Sequence, residues 1–97
     1  MRVIAISTLR QYWVVHPETR IALSEWYVKV CHANWESFAD MKADFNSVDY
    51  VGNQHYVFNI KGNRFRLVVA VKFTPKLVLI RFVRTHSEYE RIDVSTI

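Results

Sequence analysis

The feature that most constrains the fold is a change of hydrophobic period at His55. Apolar and polar residues alternate from His55 to Ile60, with Val57 the exception, and the alternation resumes from Arg64 to Phe73. A period of two indicates a half-buried strand, because successive side chains point to opposite faces of a sheet. Gly62-Asn63 separates the two runs and suits a two-residue turn whose first central position needs a positive φ. The sequence therefore predicts two antiparallel strands joined by a tight hairpin.

The predicted hairpin also fixes which polar side chains lie beside one another. With a two-residue turn, Lys61 lies opposite Arg64, and Asn59 lies opposite Arg66. Two cations placed directly across a strand pair repel each other unless they are solvated or face an anion. The phosphate backbone of RNA is such an anion. The alternative interpretation is a solvated hairpin tip, since charged runs are usually exposed surface.

The residues before the hairpin have the spacing of helices. A short β-branched run from Val3 to Ile6 precedes apolar residues at helical intervals, which predict a first helix that ends at Pro17. The same spacing continues from Pro17 through Asp44 and predicts a second helix, with Ile21 on its apolar stripe. Polar residues then break the pattern, and Tyr50 to Asn53 is interpreted as a loop. A strand and a helical pair are therefore predicted for this half.

The C-terminal part of the chain adds a third strand to the hairpin. The run from Leu77 to Val83 is apolar except for Arg81, as in a strand buried on both faces. Thr85 and Glu88 have the spacing of a capping box, which predicts a short helix after this strand. The predicted fold is α+β in the order βααβββ. Residues 1–97 are expected to form one domain, with two helices packed on a twisted, mostly antiparallel sheet.

Charge and cysteine content restrict the partners and the compartment. Thirteen Lys and Arg against nine Asp and Glu give a formal net charge of +4, which favours an anionic partner. The single cysteine, Cys31, excludes an internal disulfide and fits a reducing compartment, for which the cytoplasm is the simplest prediction. The N-terminal apolar run is too short for a membrane span. The histidines lack the spacing of a metal site, so we expect neither a metal nor another cofactor.

Candidate chemistry is concentrated around the end of the third strand. Arg81 lies within the apolar run, and Arg84 and His86 follow where the strand ends. Guanidinium groups bind phosphate through paired hydrogen bonds and compensate charge that develops on phosphorus, while histidine transfers protons near neutral pH. Tyr89, one helical turn beyond His86, can stack on a base or hydrogen-bond a phosphate. With the hairpin, these residues predict a groove for phosphodiester transfer by a ribose 2′-hydroxyl.

The same residues also have structural interpretations. Arg81 could form an ion pair with Asp40 or Asp44, because buried charges are usually paired. His86 taken alone is as often a capping or packing residue, and Tyr89 could belong to the core. The aromatic residues at helical intervals are predicted to be core rather than a stacking platform for bases.

Two stretches of the chain resemble one toxin family. They are HYVFNIKGNRFRLVVAV, from His55 to Val71, and LIRFVRTHSEYERID, from Leu79 to Asp93. Both are similar to the HigB branch of the RelE-like toxin superfamily, most specifically in Tyr-Val-Phe-Asn before the Gly-Asn turn, in Arg-Leu-Val-Val, and in Arg-x-x-x-Thr-His-x-x-Tyr. The resemblance implies a RelE-like fold and a type II toxin that inhibits translation by cutting mRNA in the decoding site of the ribosome.

The resemblance also implies partners and site residues. The partners are a HigA-like antitoxin, encoded beside the toxin and expected to carry a DNA-binding helix-turn-helix, and mRNA on the ribosome. By position, the site residues form the groove described above. The residues expected in the chemistry are His86, Arg66, Arg81, Lys61 and Tyr89, and those expected to hold RNA are Asn59, Asn63, Arg64 and Arg84.

Two other functions remain compatible with the sequence. Some relatives in the superfamily inhibit DNA gyrase without cutting RNA, and no motif in this chain alone excludes that activity. A non-catalytic RNA-binding module would need the basic groove but neither His86 nor Tyr89.

Overall fold

The computed structural model describes residues 1–91, and its centre is a five-stranded sheet in the order β1-β5-β4-β3-β2. The strands are β1 (Arg2–Ile4), β2 (Asp49–Gly52), β3 (His55–Ile60), β4 (Phe65–Lys72) and β5 (Leu77–Thr85). Strand β1 is parallel to β5, and the other neighbours are antiparallel. The prediction of an α+β fold with a mostly antiparallel sheet is confirmed.

Helices flank this sheet in the described part of the chain. They are α1 (Ile6–Val15), α2 (Arg20–His32), α3 (Phe38–Asp44) and α4 (His86–Tyr89). A 3₁₀ turn, Pro17–Thr19, separates α1 from α2, because proline fits the first turn of a helix but not its interior. None of the helices within residues 1–91 combines the length and the apolar character that crossing a membrane requires.

The helices cover one face of the sheet and form the core with it. Alternate residues of β3 and β4, such as Phe58 and Leu67, are buried beneath Leu23 and Trp26 of α2. The Phe58 ring centroid lies 5.4 Å from that of Trp26 and 5.0 Å from that of Phe45, and both pairs meet edge to face. The aromatic residues at helical intervals are therefore core residues, as predicted. The opposite face of β3, β4 and β5 is called the distal face below.

The register of the hairpin is as predicted, but its turn is longer. Ile60 pairs with Phe65 and Asn59 pairs with Arg66. The prediction of a two-residue turn is wrong, because β3 ends before Lys61 and four residues, 61–64, connect the strands. Lys61 already has a positive φ of 53°, as has Gly62 at 66°, so the chain leaves strand geometry one residue earlier than predicted.

The predicted second helix is two helices. Helix α2 ends at His32 because Ala33 is extended, with φ −76° and ψ 154°, and the chain resumes helical geometry only at Phe38. Between them Trp35 enters the core with 2% of its surface exposed, and its Nε1 donates to Asp44 Oδ2 at 2.8 Å. The prediction that Ile21 lies on the buried stripe is also wrong, since its side chain is 64% exposed.

The segment interpreted as a loop, Tyr50 to Asn53, is mostly strand. Residues Asp49–Gly52 form β2, in which Tyr50 pairs with Tyr56 of β3. Gly52 then turns the chain with φ 93°, a conformation that glycine adopts without steric cost. Within residues 1–91 the order is therefore one strand, three helices, four strands and a short helix. The predicted order βααβββ lacked α3 and β2, whereas the short helix after the last strand is as predicted.

Strand β5 is not buried on both faces. Only Val78 and Val83 of this strand are fully buried, and Arg81 and Arg84 are exposed. The edge of β5 pairs with β1 only over Leu77–Leu79. The continuous apolar run predicted more burial than β5 has, because the edge strand β1 pairs with only three residues of β5.

Candidate functional site

Three polar residues form a row across the distal face of the sheet. Asn59 of β3 pairs with Arg66 of β4, and Arg66 pairs with Arg84 of β5. Strand alternation turns these residues away from the helix-packed core, since their neighbours Ile60, Phe65 and Val83 are buried there. Opposed residues of antiparallel strands lie about 4.5–5.5 Å apart at Cβ. Two guanidinium-bearing residues at that spacing repel each other, and an anion between them would remove the repulsion.

Arg66 connects this row to the hairpin and to α4. Its Nη1 donates to the carbonyl oxygen of Asn63 at 3.1 Å, and its guanidinium carbon lies 6.0 Å from the centroid of the Tyr89 ring. Burial raises the pKa of Tyr89, whereas the charge of Arg66 acts in the opposite direction. The phenol therefore remains protonated at neutral pH and can donate a hydrogen bond or a proton to a phosphate oxygen.

Helix α4 is anchored to the end of β5 by a capping box, as predicted. The backbone N–H of Glu88 donates to Thr85 Oγ1 at 3.2 Å, and the N–H of Thr85 donates to Glu88 Oε1 at 2.9 Å. The backbone hydrogen bond from Thr85 is the main reason why the pKa of Glu88 is lowered. The N–H of His86 donates to the carbonyl of Arg64 at 2.9 Å, so α4 is also tied to the hairpin turn.

His86 occupies the first position of α4, where it is not the cap. Its Nε2 lies 2.8 Å from Glu90 Oε1, one helical turn further on. Its Nδ1 is buried and has no hydrogen-bond partner among residues 1–91. Forty per cent of the His86 side chain is exposed, so the imidazole is accessible to a ligand. The interpretation of His86 as a capping residue is wrong, because Thr85 fills that role.

Arg81 lies outside the row of paired residues. Val68 pairs with Phe82 and Val69 with Ile80, so Arg81 is the extra residue of a β-bulge. Its side chain is exposed and borders a groove between β5 and α1. Within residues 1–91 it makes no ion pair, and the interpretation as an ion pair with a helix carboxylate is wrong.

The two acidic residues considered as partners of Arg81 are engaged elsewhere. Asp44 accepts the indole N–H of Trp35, and Asp40 accepts the backbone N–H of Glu36 at 2.8 Å. Neither carboxylate is therefore part of the site.

The hairpin turn carries the remaining predicted residues. Lys61, Asn63 and Arg64 are exposed, and the Arg64 guanidinium carbon lies 5.9 Å from the Phe65 ring centroid. Lys61 borders a cavity of about 230 Å³ together with Asn59 of β3 and Lys29 of α2. The structure thus brings together Asn59, Asn63, Arg64, Arg66, Arg84, His86 and Tyr89, with Lys61 and Arg81 at the margins.

Three residues of this region were not predicted from the sequence to belong to the site. Glu90 contacts His86 and has the helical i,i+4 spacing that would have indicated the pair. Asp49 lies close enough for its charge to raise the pKa of Tyr89, but it belongs to the strand interpreted as a loop. Tyr12 of α1 borders the groove with Arg81, and nothing in the sequence places α1 beside β5. Among residues 1–91, no three or more His, Cys, Asp or Glu side chains cluster as a metal site would require.

Comparison with known proteins gives one family and several relatives. The family described as HigB_toxin, RelE-like toxic component of a toxin-antitoxin system, matches residues 19–92. The mRNA interferase toxin HigB of Escherichia coli (strain K12) is 45% identical over 53 residues, which are 52% of this chain and 50% of that protein. The mRNA interferase HigB of Shigella flexneri shows the same identity and coverage.

A more distant relative is aligned over more of the chain. The mRNA interferase HigB of Escherichia coli O6:H1 is 23% identical over 79 residues, which are 79% of this chain and 77% of that protein. The chain spans about half the length of the first relatives that it matches. The family match includes all candidate residues from Asn59 to Tyr89 but leaves out α1.

Proposed function

This chain belongs to the HigB family of RelE-like toxic components of toxin–antitoxin systems, and from that premise we propose that it is a metal-independent endoribonuclease. In this proposal the protein cuts mRNA on the ribosome and thereby inhibits translation. The names of its relatives support the choice of mRNA as substrate, since each is called an mRNA interferase. Residues 1–97 form a single toxin domain in this proposal.

The observation that carries the proposal is the arginine row beside two proton-bearing side chains. Arg66 and Arg84 are paired across adjacent strands, and Tyr89 lies over Arg66. His86 follows at the start of the helix that holds Tyr89. Paired guanidinium groups match the two non-bridging oxygens of a phosphodiester and become more favourable as charge develops in the transition state. A binding module alone would need the arginines but not the adjacent imidazole and phenol.

The reaction needs only groups of the RNA and of this chain. The ribose 2′-oxygen forms a bond to phosphorus as the bond from phosphorus to the 5′-oxygen breaks, leaving a 2′,3′-cyclic phosphate and a 5′-hydroxyl. One side chain accepts the proton of the 2′-hydroxyl, and another donates a proton to the departing oxygen. We assign proton transfer to His86 with Tyr89 as a donor. The proposal places Arg66 and Arg84 on the phosphate, with Asn59, Asn63 and Arg64 along the RNA, and Lys61 and Arg81 flanking it.

The partners follow from the family and from the substrate. A toxin of a toxin–antitoxin system implies an antitoxin, and we propose that it is HigA-like and neutralises the toxin by excluding it from the ribosome. Acidic segments of such a partner would complement the basic surface from Lys61 to Arg84. The proposed site of action is the cytoplasm, where translated mRNA is found.

Mapping of mRNA 5′ ends after brief induction tests this function. The proposal predicts new in-frame 5′ ends within translated messages and a halt in protein synthesis, and it predicts neither after induction of an Arg66→Ala variant. Double-strand DNA breaks with intact mRNA would contradict it in favour of gyrase inhibition. Arrest of translation without new 5′ ends would contradict it in favour of a non-catalytic RNA-binding module.

A further inference from the structure

A groove of about 380 Å³ lies between α1 and the edge of β5, beside the arginine row. Helix α1 contributes Thr8, Gln11, Tyr12, Val15 and His16, and β5 contributes Arg81–Arg84. Its volume is within the range of sites that hold a small ligand, about 300–1,000 Å³. Arg84 belongs both to this groove and to the row with Arg66. The groove is therefore continuous with the proposed site of cleavage.

Tyr12, one of the residues that line the groove, has a buried polar atom without a partner among residues 1–91. The hydroxyl of Tyr12 is shielded from solvent and makes no hydrogen bond within residues 1–91. Its ring is stacked on His16 with the ring centroids 4.4 Å apart, which restrains the plane of the ring. A buried hydroxyl without a hydrogen bond lowers stability, so such a group calls for an explanation. A ligand that hydrogen-bonds to Tyr12 would supply the missing contact.

The charges at the groove favour an anionic ligand with a flat ring. Arg81 has no ion pair within residues 1–91, and Arg84 has its guanidinium carbon 4.9 Å from the Phe82 ring centroid. Among residues 1–91, no acidic side chain borders the groove, although Glu88 is near enough for its charge to act on Tyr12. Nucleobases stack on guanidinium planes and aromatic rings and are hydrogen-bonded at their edges.

We propose that this α1–β5 groove is a second nucleotide-binding site, which holds an unpaired base of the RNA strand next to the cleaved phosphodiester. Tyr12 and Gln11 hydrogen-bond the edge of the base, and Arg81 binds the phosphate that follows. The inference rests on the proposed function, because the RNA strand enters the groove from the row through Arg84. It adds α1, which lies outside the family match, to the substrate-binding surface.

An RNA strand fits the groove better than an acidic peptide of the antitoxin. A peptide carboxylate would satisfy Arg81 or Arg84, but it would leave the hydroxyl of Tyr12 without a partner unless a second polar group reached it. A nucleotide carries both elements, a phosphate for the arginines and polar base edges for Tyr12. Because Arg84 borders both the groove and the row, a single RNA strand can contact both surfaces.

Nuclear magnetic resonance titration of the full chain with 2′-O-methylated trinucleotides tests the proposal, because this methylation blocks cleavage. One trinucleotide of purines and one of pyrimidines serve as probes. We expect chemical-shift changes both at Asn59, Arg66 and Tyr89 and at Tyr12 and Arg81. Tyr12→Phe should weaken binding about two- to ten-fold, the effect of one hydrogen bond, and should leave thermal stability equal or higher because an unpaired buried hydroxyl is removed. Arg81→Ala should weaken binding and lower its salt dependence by about one unit of slope.

Matched variants and separate outcomes keep the two proposals distinguishable. Tyr50→Phe on β2 and Arg20→Ala on α2 remove the same groups at exposed positions and should leave binding unchanged. Shift changes confined to Asn59, Arg66 and Tyr89 would overturn the groove site and leave the nuclease proposal intact. Shifts in the groove with an acidic antitoxin peptide, but with neither trinucleotide, would overturn it in favour of a protein-binding surface. Absence of all trinucleotide binding, together with absence of ribosome-dependent cleavage, would overturn both.

Discussion

Arg66 combines three contacts that orient its guanidinium group. Its backbone pairs with Asn59 and Arg84, its Nη1 donates to the carbonyl of Asn63, and its charge lies over the ring of Tyr89. A planar group held in this way loses less rotamer freedom when it binds phosphate than a free surface arginine does. Arg66 and Arg84 place two cationic side chains on paired strand residues, and a bound phosphodiester would compensate both charges.

At the scale of the residue, a substitution at His86 should affect the rate of cleavage without affecting ribosome binding. His86→Ala should still bind ribosomes, because Arg66 and Arg84 retain the contacts that hold phosphate. The rate of cleavage should fall about 10²–10⁴-fold, the usual contribution of general acid–base catalysis. Single-turnover cleavage on programmed ribosomes, with co-sedimentation as the measure of binding, checks both expectations. His32→Ala, which alters an exposed histidine of α2, is the matched control and should leave the rate unchanged.

The outcome for His86 also identifies the proton carrier. If the His86→Ala protein cuts at the wild-type rate, His86 does not transfer the proton. Proton transfer would then be assigned to Tyr89 or Lys61. Glu90→Gln should lower the rate by less than His86→Ala does, because it removes only the carboxylate 2.8 Å from Nε2 and leaves the imidazole in place.

At the scale of the element, α4 depends on its capping box for its position. Thr85→Ala removes the hydroxyl that accepts the N–H of Glu88, and loss of such a cap lowers the free energy of unfolding by about 1 kcal/mol. Since α4 carries both His86 and Tyr89, kcat should fall more than ribosome binding does. Thr85→Ser keeps the hydroxyl and should restore both stability and kcat. Equal kcat for Thr85→Ala and wild type would show that the cap does not position the catalytic side chains.

Glu88 is the other half of the capping box, and its contribution to the free energy of unfolding depends on pH. Hydrogen bonds from Thr85 lower the pKa of Glu88 below its ordinary value of 4.5 in the folded protein. The corresponding stability is therefore present above pH 4.5 and is lost as the pH falls through the lowered pKa, because the folded carboxylate then becomes protonated. Chemical denaturation should show wild type more stable than Glu88→Ala at pH 7, with a smaller difference at pH 3. A difference that is constant with pH would contradict this assignment.

Short-range patterns in the sequence predict some of these elements and not others. The pairs between β3 and β4 follow from alternation on either side of Gly62-Asn63, and the capping box follows from the spacing of Thr85 and Glu88. Strand β2 has four residues without clear alternation, so only its pairing with β3 stabilises it. The break between α2 and α3 contains neither proline nor glycine and arises because Trp35 packs into the core.

At the scale of the whole molecule, the two faces of one sheet have separate roles. The face toward α2 is apolar and stabilises the fold through rings such as Trp26 and Phe58. The distal face presents the arginine row, and the loop and helix that follow its strands bring Asn63 and Tyr89 to Arg66. The hairpin residues of the candidate site could therefore be predicted from local pattern. The bulge at Arg81 and the groove beside α1 could not, because both depend on how separate elements pack. The family resemblance extends to Ile92 and Asp93, which lie outside the described residues.

Single-turnover cleavage of one labelled message in three forms tests the central claim most directly. The forms are the message bound to programmed ribosomes, the same message as naked RNA, and a ribosome-bound message with 2′-deoxyribose at the cleaved position. We predict cleavage of the first form alone, with a 2′,3′-cyclic phosphate on the upstream fragment. Cleavage of the 2′-deoxy message at the same rate, or failure to cut the ribosome-bound message, would contradict the account.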